Sequence, residues 1–101
     1  MKLKQQIRED FRSSVFKRDG GECKFCGVAE GLDAHHITDR NEMPNGGYVK
    51  ENGITVCPDC HMECEQYHIS SGENWAEGKH PDDLYALIGS SFALATEMSE
   101  K

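Results

Sequence analysis

Two Cys-x-x-C pairs constrain this chain more than any other feature: Cys23-Lys24-Phe25-Cys26 and Cys57-Pro58-Asp59-Cys60, with residues 27–56 between them. Four thiolates so spaced read as one structural zinc site, with the sulfurs set tetrahedrally at ~2.3 Å from the ion. The competing reading is two reduced pairs, or one redox-active pair. The redox motif wants a strand–helix setting in a longer α/β chain, which is absent here. Length favours the metal: 101 residues make a single small domain, and small domains often recruit metals to supplement a limited core. No stretch approaches the ~18 apolar residues of a membrane span. Met1-Lys2-Leu3-Lys4-Gln5-Gln6 lacks the apolar centre of a signal peptide. A cytoplasmic protein without a membrane partner is therefore expected, in a compartment where disulfides are rare. Cys64 is left over and reads as a spare buried thiol.

The rest of the chain divides around these pairs. Leu3, Ile7, Phe11 and Val15 recur every fourth residue and predict a helix over about 3–17, ended by Asp19-Gly20-Gly21. Leu32 to Ile37 reads as a short strand. The polar, Asn- and Gly-rich segment 39–47 reads as a loop. Tyr48-Val49-Lys50 and Gly53-Ile54-Thr55-Val56 read as extended stretches around Asn52-Gly53, too short to establish a hairpin. Pro58 suits the first turn of a helix reaching about residue 67 or 68. Residues 70–79 are polar and irregular. A last helix is expected over about 82–98, with Leu84, Leu87, Ile88, Phe92 and Ala95 on its apolar face.

The polar groups lying between and beside the cysteines exceed what a structural zinc site needs. They are Asp33-Ala34-His35-His36-Ile37, then Asn52, then His61 directly after Cys60. This set, with both Cys-x-x-C pairs and the lead-in Val15-Phe16-Lys17-Arg18-Asp19, resembles the HNH endonuclease family over about residues 15–68. The resemblance implies an α+β fold for residues 1–101. That fold is a small ββα-metal unit stapled by Cys23, Cys26, Cys57 and Cys60, with helices at both ends. It implies His36 as general base, His35 and His61 as ligands of a catalytic divalent ion, and Asn52 holding the loop and helping to orient the base. Some family members place a further metal-binding His four residues after the last signature His. That position is Glu65 here, read as an ordinary helix acid more readily than as a ligand. Asp33 is read chiefly as a polar strand residue, with a supporting place behind His35 as the alternative.

The chemistry fits those residue types. Cleaving a phosphodiester requires an activated water, charge stabilisation at phosphorus and help for the leaving 3′ oxygen. A neutral His can accept the water's proton. A divalent ion (Mg2+, Mn2+, Ni2+, Co2+ or Zn2+) can stabilise the phosphate, and imidazole ligands disfavour Mg2+ among these. The expected products carry 5′-phosphate and 3′-hydroxyl ends. Adjacent strand residues point to opposite faces, so His35 and His36 can serve one phosphate only at a strand end, bulge or bend. Charge opposes a DNA substrate: the formal net charge is −7. The basic residues do cluster early, at Lys2, Lys4, Arg8, Arg12, Lys17, Arg18 and Lys24. Arg18 and Arg40 are candidate DNA contacts. Weak, salt-sensitive DNA affinity or delivery by a protein partner is expected. The alternative function, a non-catalytic zinc module binding protein or nucleic acid, explains the cysteines but not the histidines.

Overall fold

A pair of short antiparallel strands stands at the centre of the fold. In the computed structural model, which describes residues 3–101, β1 is Asp33–His36 and β2 is Gly53–Val56. They pair in the register Asp33↔Val56, Ala34↔Thr55, His35↔Ile54 and His36↔Gly53. Helix α1 (Lys4–Arg18) packs on this sheet, and α2 (Pro58–Ile69) follows β2 directly. Two further helices, α3 (Pro81–Leu87) and α4 (Phe92–Ser99), complete the domain. This is the expected α+β arrangement, two strands then a helix, with a four-cysteine cluster and flanking helices. Lys2, counted above among the early basic residues, lies outside the described residues.

Helix α1 meets the sheet through the C-terminal half of its apolar stripe. Phe11 and Val15 are buried, Ile7 is half-buried, and Leu3 is 77% exposed. The approach is close enough to dictate a glycine in β2. A Cβ on Gly53 would lie 2.5 Å from Val15 Cγ2 and 2.7 Å from a Phe11 ring carbon, so any side chain there would push α1 off the strand. Asp19 closes the junction. Its carboxylate accepts from the Thr55 amide at 2.9 Å and from Arg18 Nε and Nη2 at 2.8 Å each. Burial would raise the Asp19 pKa, but the Arg18 and Thr55 donors outweigh it and hold the group below its ordinary value. A depressed folded pKa means stability that is fully present above the unfolded value, near ~3.9, and lost as pH falls through the folded one. Asp19→Asn is therefore expected to cost about 1–3 kcal/mol at pH 7, measured by urea denaturation of the zinc-loaded protein.

At four places the local structure departs from the sequence reading or refines it. Tyr48–Lys50 does not pair with β2; the partner of β2 is β1, and Lys50–Asn52 is a 3-10 turn. Asn52-Gly53 makes no hairpin turn because Gly53 is extended (φ −135°) and the Asn52 side chain is drawn inward. The segment after β1 holds short 3-10 turns at Arg40–Glu42 and Pro44–Gly47. The single C-terminal helix expected over 82–98 is two helices. Gly89 takes a left-handed φ of +69°, and the Ser91 hydroxyl caps α4 by accepting from the Leu94 amide at 3.0 Å. That break leaves Leu87 and Phe92 exposed, while Leu84 and Ala95 stay buried.

The core gathers Ile37, Met43, Ile54, Val56, Leu84, Tyr85 and Ala95 with the Cys64 thiol. Burial pushes that thiol up to about 12, so it behaves as a small apolar side chain. Among the described residues, no helix is long and apolar enough to cross a membrane.

Candidate active site and metal centres

The first knuckle leaves α1 through a glycine turn and is tied to the sheet by its backbone. The Cys23 amide donates to the Val28 carbonyl at 2.9 Å, and the Lys24 amide to the Thr55 carbonyl at 3.1 Å. The second knuckle is the N-terminus of α2, with Cys57 at its cap and Pro58 in its first turn. The sulfurs of Cys23, Cys26, Cys57 and Cys60 all come within 4.8 Å of one another. Cys26 and Cys57 are 3.6 Å apart, sulfur to sulfur. A zinc tetrahedron with ~2.3 Å bonds spaces its sulfurs at about 3.8 Å, whereas a disulfide needs about 2.05 Å. Burial would raise the Cys23 pKa, but the backbone of Cys26, Phe25 and Cys57 hydrogen-bonds its sulfur and brings it to about 6. The cluster therefore fits zinc. Cys64 stands outside it, buried in the core.

A second cluster forms where β1 faces α2. His35 is 1% exposed, and its Nδ1 lies 3.1 Å from Glu65 Oε1. His61 Nε2 lies 3.2 Å from the same oxygen. His61 and Glu65 are one helical turn apart, so both project from one face of α2. His35 Nδ1, His61 Nε2 and Glu65 Oε1 thus converge on one point, a two-His, one-carboxylate donor set. The hydrogen bond to His35 leads the causes that draw Glu65 down to about 2, so this is an ionised carboxylate. Burial in turn lowers the His35 pKa, against the pull of Glu65, and favours the neutral imidazole that a metal requires. The donors suit a divalent ion.

Glu65 joins this cluster, whereas the sequence reading took it more readily for an ordinary helix acid. Its only signal was the four-residue spacing from His61, which ordinary exposed helix acids share. Asp33 is a half-exposed polar residue of β1, and its Oδ2 is 3.6 Å from His61 Nδ1, not behind His35. Its Oδ1 accepts from Arg12 Nη1 at 2.9 Å. The Asp33 carboxylate thus lies on the side of the His61 ring opposite the Nε2 that faces the cluster.

His36 ends β1 and turns to the opposite side of the strand from His35. Its ring stacks on Phe11 at 4.5 Å between centroids and meets Tyr48 edge-on at 4.8 Å. Burial, then the neighbouring His35 and Arg40, push its pKa down to about 4, so the imidazole is neutral at pH 7. Its Nε2 is buried and has no hydrogen-bond partner. Because His36 is the last strand residue, it still borders the groove of about 390 Å³ that His61, Glu65, His68 and Arg40 line. The strand end thus brings His36 to the groove of His61 and Glu65, while the buried His35, on the opposite face, meets it through Glu65. His68 contacts the His36 carbonyl through Nε2 at 2.9 Å.

Asn52 is fully buried and braces the loop that follows His36. Its Oδ1 accepts from the Thr38 amide at 3.0 Å and from the Tyr85 hydroxyl at 2.7 Å. Its Nδ2 donates to the Thr38 and Gly47 carbonyls at 3.1 and 3.2 Å. These bonds clamp the two ends of the loop together, and none reaches the His36 ring. Tyr85, from α3, was not anticipated in this network; nothing in the local sequence ties residue 85 to residue 52.

The candidate DNA contacts differ in exposure. Arg40 is exposed at the groove beside His36. Arg18 turns its guanidinium into the fold, onto Asp19 and the Lys50 and Gly53 carbonyls.

The HNH endonuclease family model matches residues 21–66. No curated protein and no solved structure matches the chain. The matched segment opens just before Cys23 and closes just past Glu65, so every residue of both clusters falls inside it; residues 21–66 are similar to an HNH endonuclease domain.

Proposed function

We propose that the protein is a metal-dependent endonuclease that hydrolyses DNA phosphodiester bonds to 5′-phosphate and 3′-hydroxyl ends. The observation that carries this reading is the convergence of His35 Nδ1, His61 Nε2 and Glu65 Oε1 beside a groove that His36 borders. A non-catalytic zinc module would need only the cysteines.

Each residue has a stated task. Cys23, Cys26, Cys57 and Cys60 hold structural zinc and fix the start of α2, which sets the reach of His61 and Glu65. His35, His61 and Glu65 hold the second divalent ion. When bound, that ion supplies positive charge to the scissile phosphate and the leaving oxygen. The His36 imidazole takes the proton of the attacking water. Its Nε2 is closed off from solvent, which leaves Nδ1 as the nitrogen that meets that water. Asn52 is a positioning residue that keeps the following loop, and Arg40 with it, at the groove. Arg40 offers its exposed guanidinium to the phosphate. Arg18 is left out of the contact set because its donors are occupied within the fold. Two imidazoles and one carboxylate favour Mn2+, Co2+, Ni2+ or Zn2+ over Mg2+.

Calorimetric titration of Mn2+ or Ni2+ into zinc-loaded protein tests the second centre. One further equivalent should bind, and Glu65→Ala should weaken it by at least about tenfold, no less than loss of an outer-shell partner costs. Absence of any further binding in the folded protein would refute the assignment.

A further inference from the structure

The groove at the second metal centre does not end at His36. It shares Asp33, Ala34, His36 and Arg40 with a neighbouring cavity of about 240 Å³, which reaches Arg8, Phe11 and Tyr48. That cavity shares Arg8, Arg40 and Tyr48 with a third, of about 290 Å³, which runs on to Lys4 and Ile7. The three form one continuous track along the sheet edge and the N-terminal half of α1.

The groove itself holds Asp33, Asp39 and Glu65, but beyond it the charge on this track is opposite to that of the whole molecule. No carboxylate lines its far cavity, whose cations are Lys4, Arg8 and Arg40, in a chain of formal net charge −7. Among the described residues, no acid forms an ion pair with any of these three. The one acid along the middle stretch, Asp33, is already paired with Arg12 at 2.9 Å. Lys4, Arg8 and Arg12 repeat every four residues and so share one face of α1. Each step rises ~6 Å along the helix axis, a spacing on the scale of successive phosphates in a strand. Glu9 and Asp10 fall on other faces of the helix. The cleft lined by Tyr67, Tyr85 and Phe92 carries Glu42 and Asp82.

Tyr48 organises the cations. Its phenol faces both Arg40 and Arg8, which draw its pKa below the ordinary value. Its ring lies edge-on to His36 and also to Phe11, the latter at 5.7 Å between centroids. Gly46, at φ +82°, leaves room for that ring; a Cβ there would come within 2.7 Å of a Tyr48 ring carbon. The same side chain therefore buttresses His36 and presents two guanidinium groups next to it.

We propose that Lys4, Arg8 and Arg40, gathered around Tyr48, form a subsite for the backbone phosphates of the DNA strand beyond the scissile bond. This rests on the nuclease reading and extends it to α1, which lies outside the family match. The subsite reads charge and not sequence. It answers the unfavourable net charge: a local basic track concentrates affinity where the strand must lie.

The test uses the full, zinc-loaded chain and two readouts. Binding of a short labelled DNA duplex is followed by anisotropy as salt is varied, without added second metal. Hydrolysis of plasmid and of a small activated phosphodiester, which has no neighbouring phosphates, is followed with Mn2+. The double variant K4Q/R8Q should weaken duplex binding by about tenfold and flatten the log–log salt slope by about one unit for each phosphate no longer neutralised. It should slow plasmid cleavage in step, while hydrolysis of the small diester stays at the wild-type rate. Lys17→Gln, an exposed basic residue of α1 outside the track, should leave all three unchanged. Duplex binding and salt slope that survive K4Q/R8Q, with plasmid cleavage intact, would overturn the track and leave the nuclease reading standing. A wild-type protein that neither binds duplex nor hydrolyses either substrate would overturn the nuclease reading, and the track with it.

Discussion

Removing zinc from the reduced protein should unfold it. The two knuckles join segments far apart in sequence: the loop between α1 and β1, and the first turn of α2. The apolar core comprises few large side chains, Ile37, Ile54, Leu84 and Val56 chief among the fully buried ones. Zinc held by a small metallo-domain contributes about 10–16 kcal/mol near pH 7, while a domain's whole stability is about 5–15 kcal/mol. Taking away the first therefore consumes the second. The empty site is also worse than neutral, since four sulfurs within 4.8 Å cannot all be thiolates without an ion between them. Chelation should abolish the cooperative thermal transition seen by circular dichroism and most of the helical signal, and re-addition of zinc should restore both. Cys57→Ser, which removes a ligand at the start of α2, should behave like chelation. A chelated protein that kept its thermal transition would show that the cysteines are not a folding centre.

The metal-bearing half of the fold was legible because its signals are local. Cys-x-x-C spacing, Pro58 at a helix start and His61 beside Cys60 each place a group within a few residues of a recognisable element. The apolar stripe of α1 was equally plain, although which half of it would be buried depended on where the sheet ends. The C-terminal break falls at Gly89-Ser90-Ser91, across which the apolar periodicity runs on. Side chains that act across the fold were not legible. Tyr85 reaches Asn52 from α3, Tyr48 reaches His36 from a loop, and Asp33 meets His61 across the strand–helix interface. No spacing rule links such pairs, because tertiary packing alone brings them together. Glu65 lies between these cases. Its spacing put it on the face of His61, and only the position of His35 on the opposing strand distinguishes it from a solvated helix acid.

Replacing His36 by alanine should remove catalysis and spare the structure. A positioned general base contributes about 10²–10⁴ in rate, so cleavage should fall by that factor. The side chain is half-buried against Phe11 and Tyr48, and its Nε2 makes no hydrogen bond that the substitution would break. His35, His61 and Glu65 lie on the other face of β1 or on α2, so the second metal centre should remain. This pattern, full metal binding with lost turnover, separates a base from a ligand. A ligand variant such as Glu65→Ala loses both together.

The most direct measurement is conversion of supercoiled plasmid by zinc-loaded protein at low salt, with and without added Mn2+, Co2+, Ni2+ or Mg2+, beside His36→Ala. The account predicts relaxed or linear product only when a second ion is added, and about 10²–10⁴ less of it from the variant. Wild-type cleavage rates from His36→Ala, or no cleavage with any ion from folded, zinc-bound protein, would contradict it.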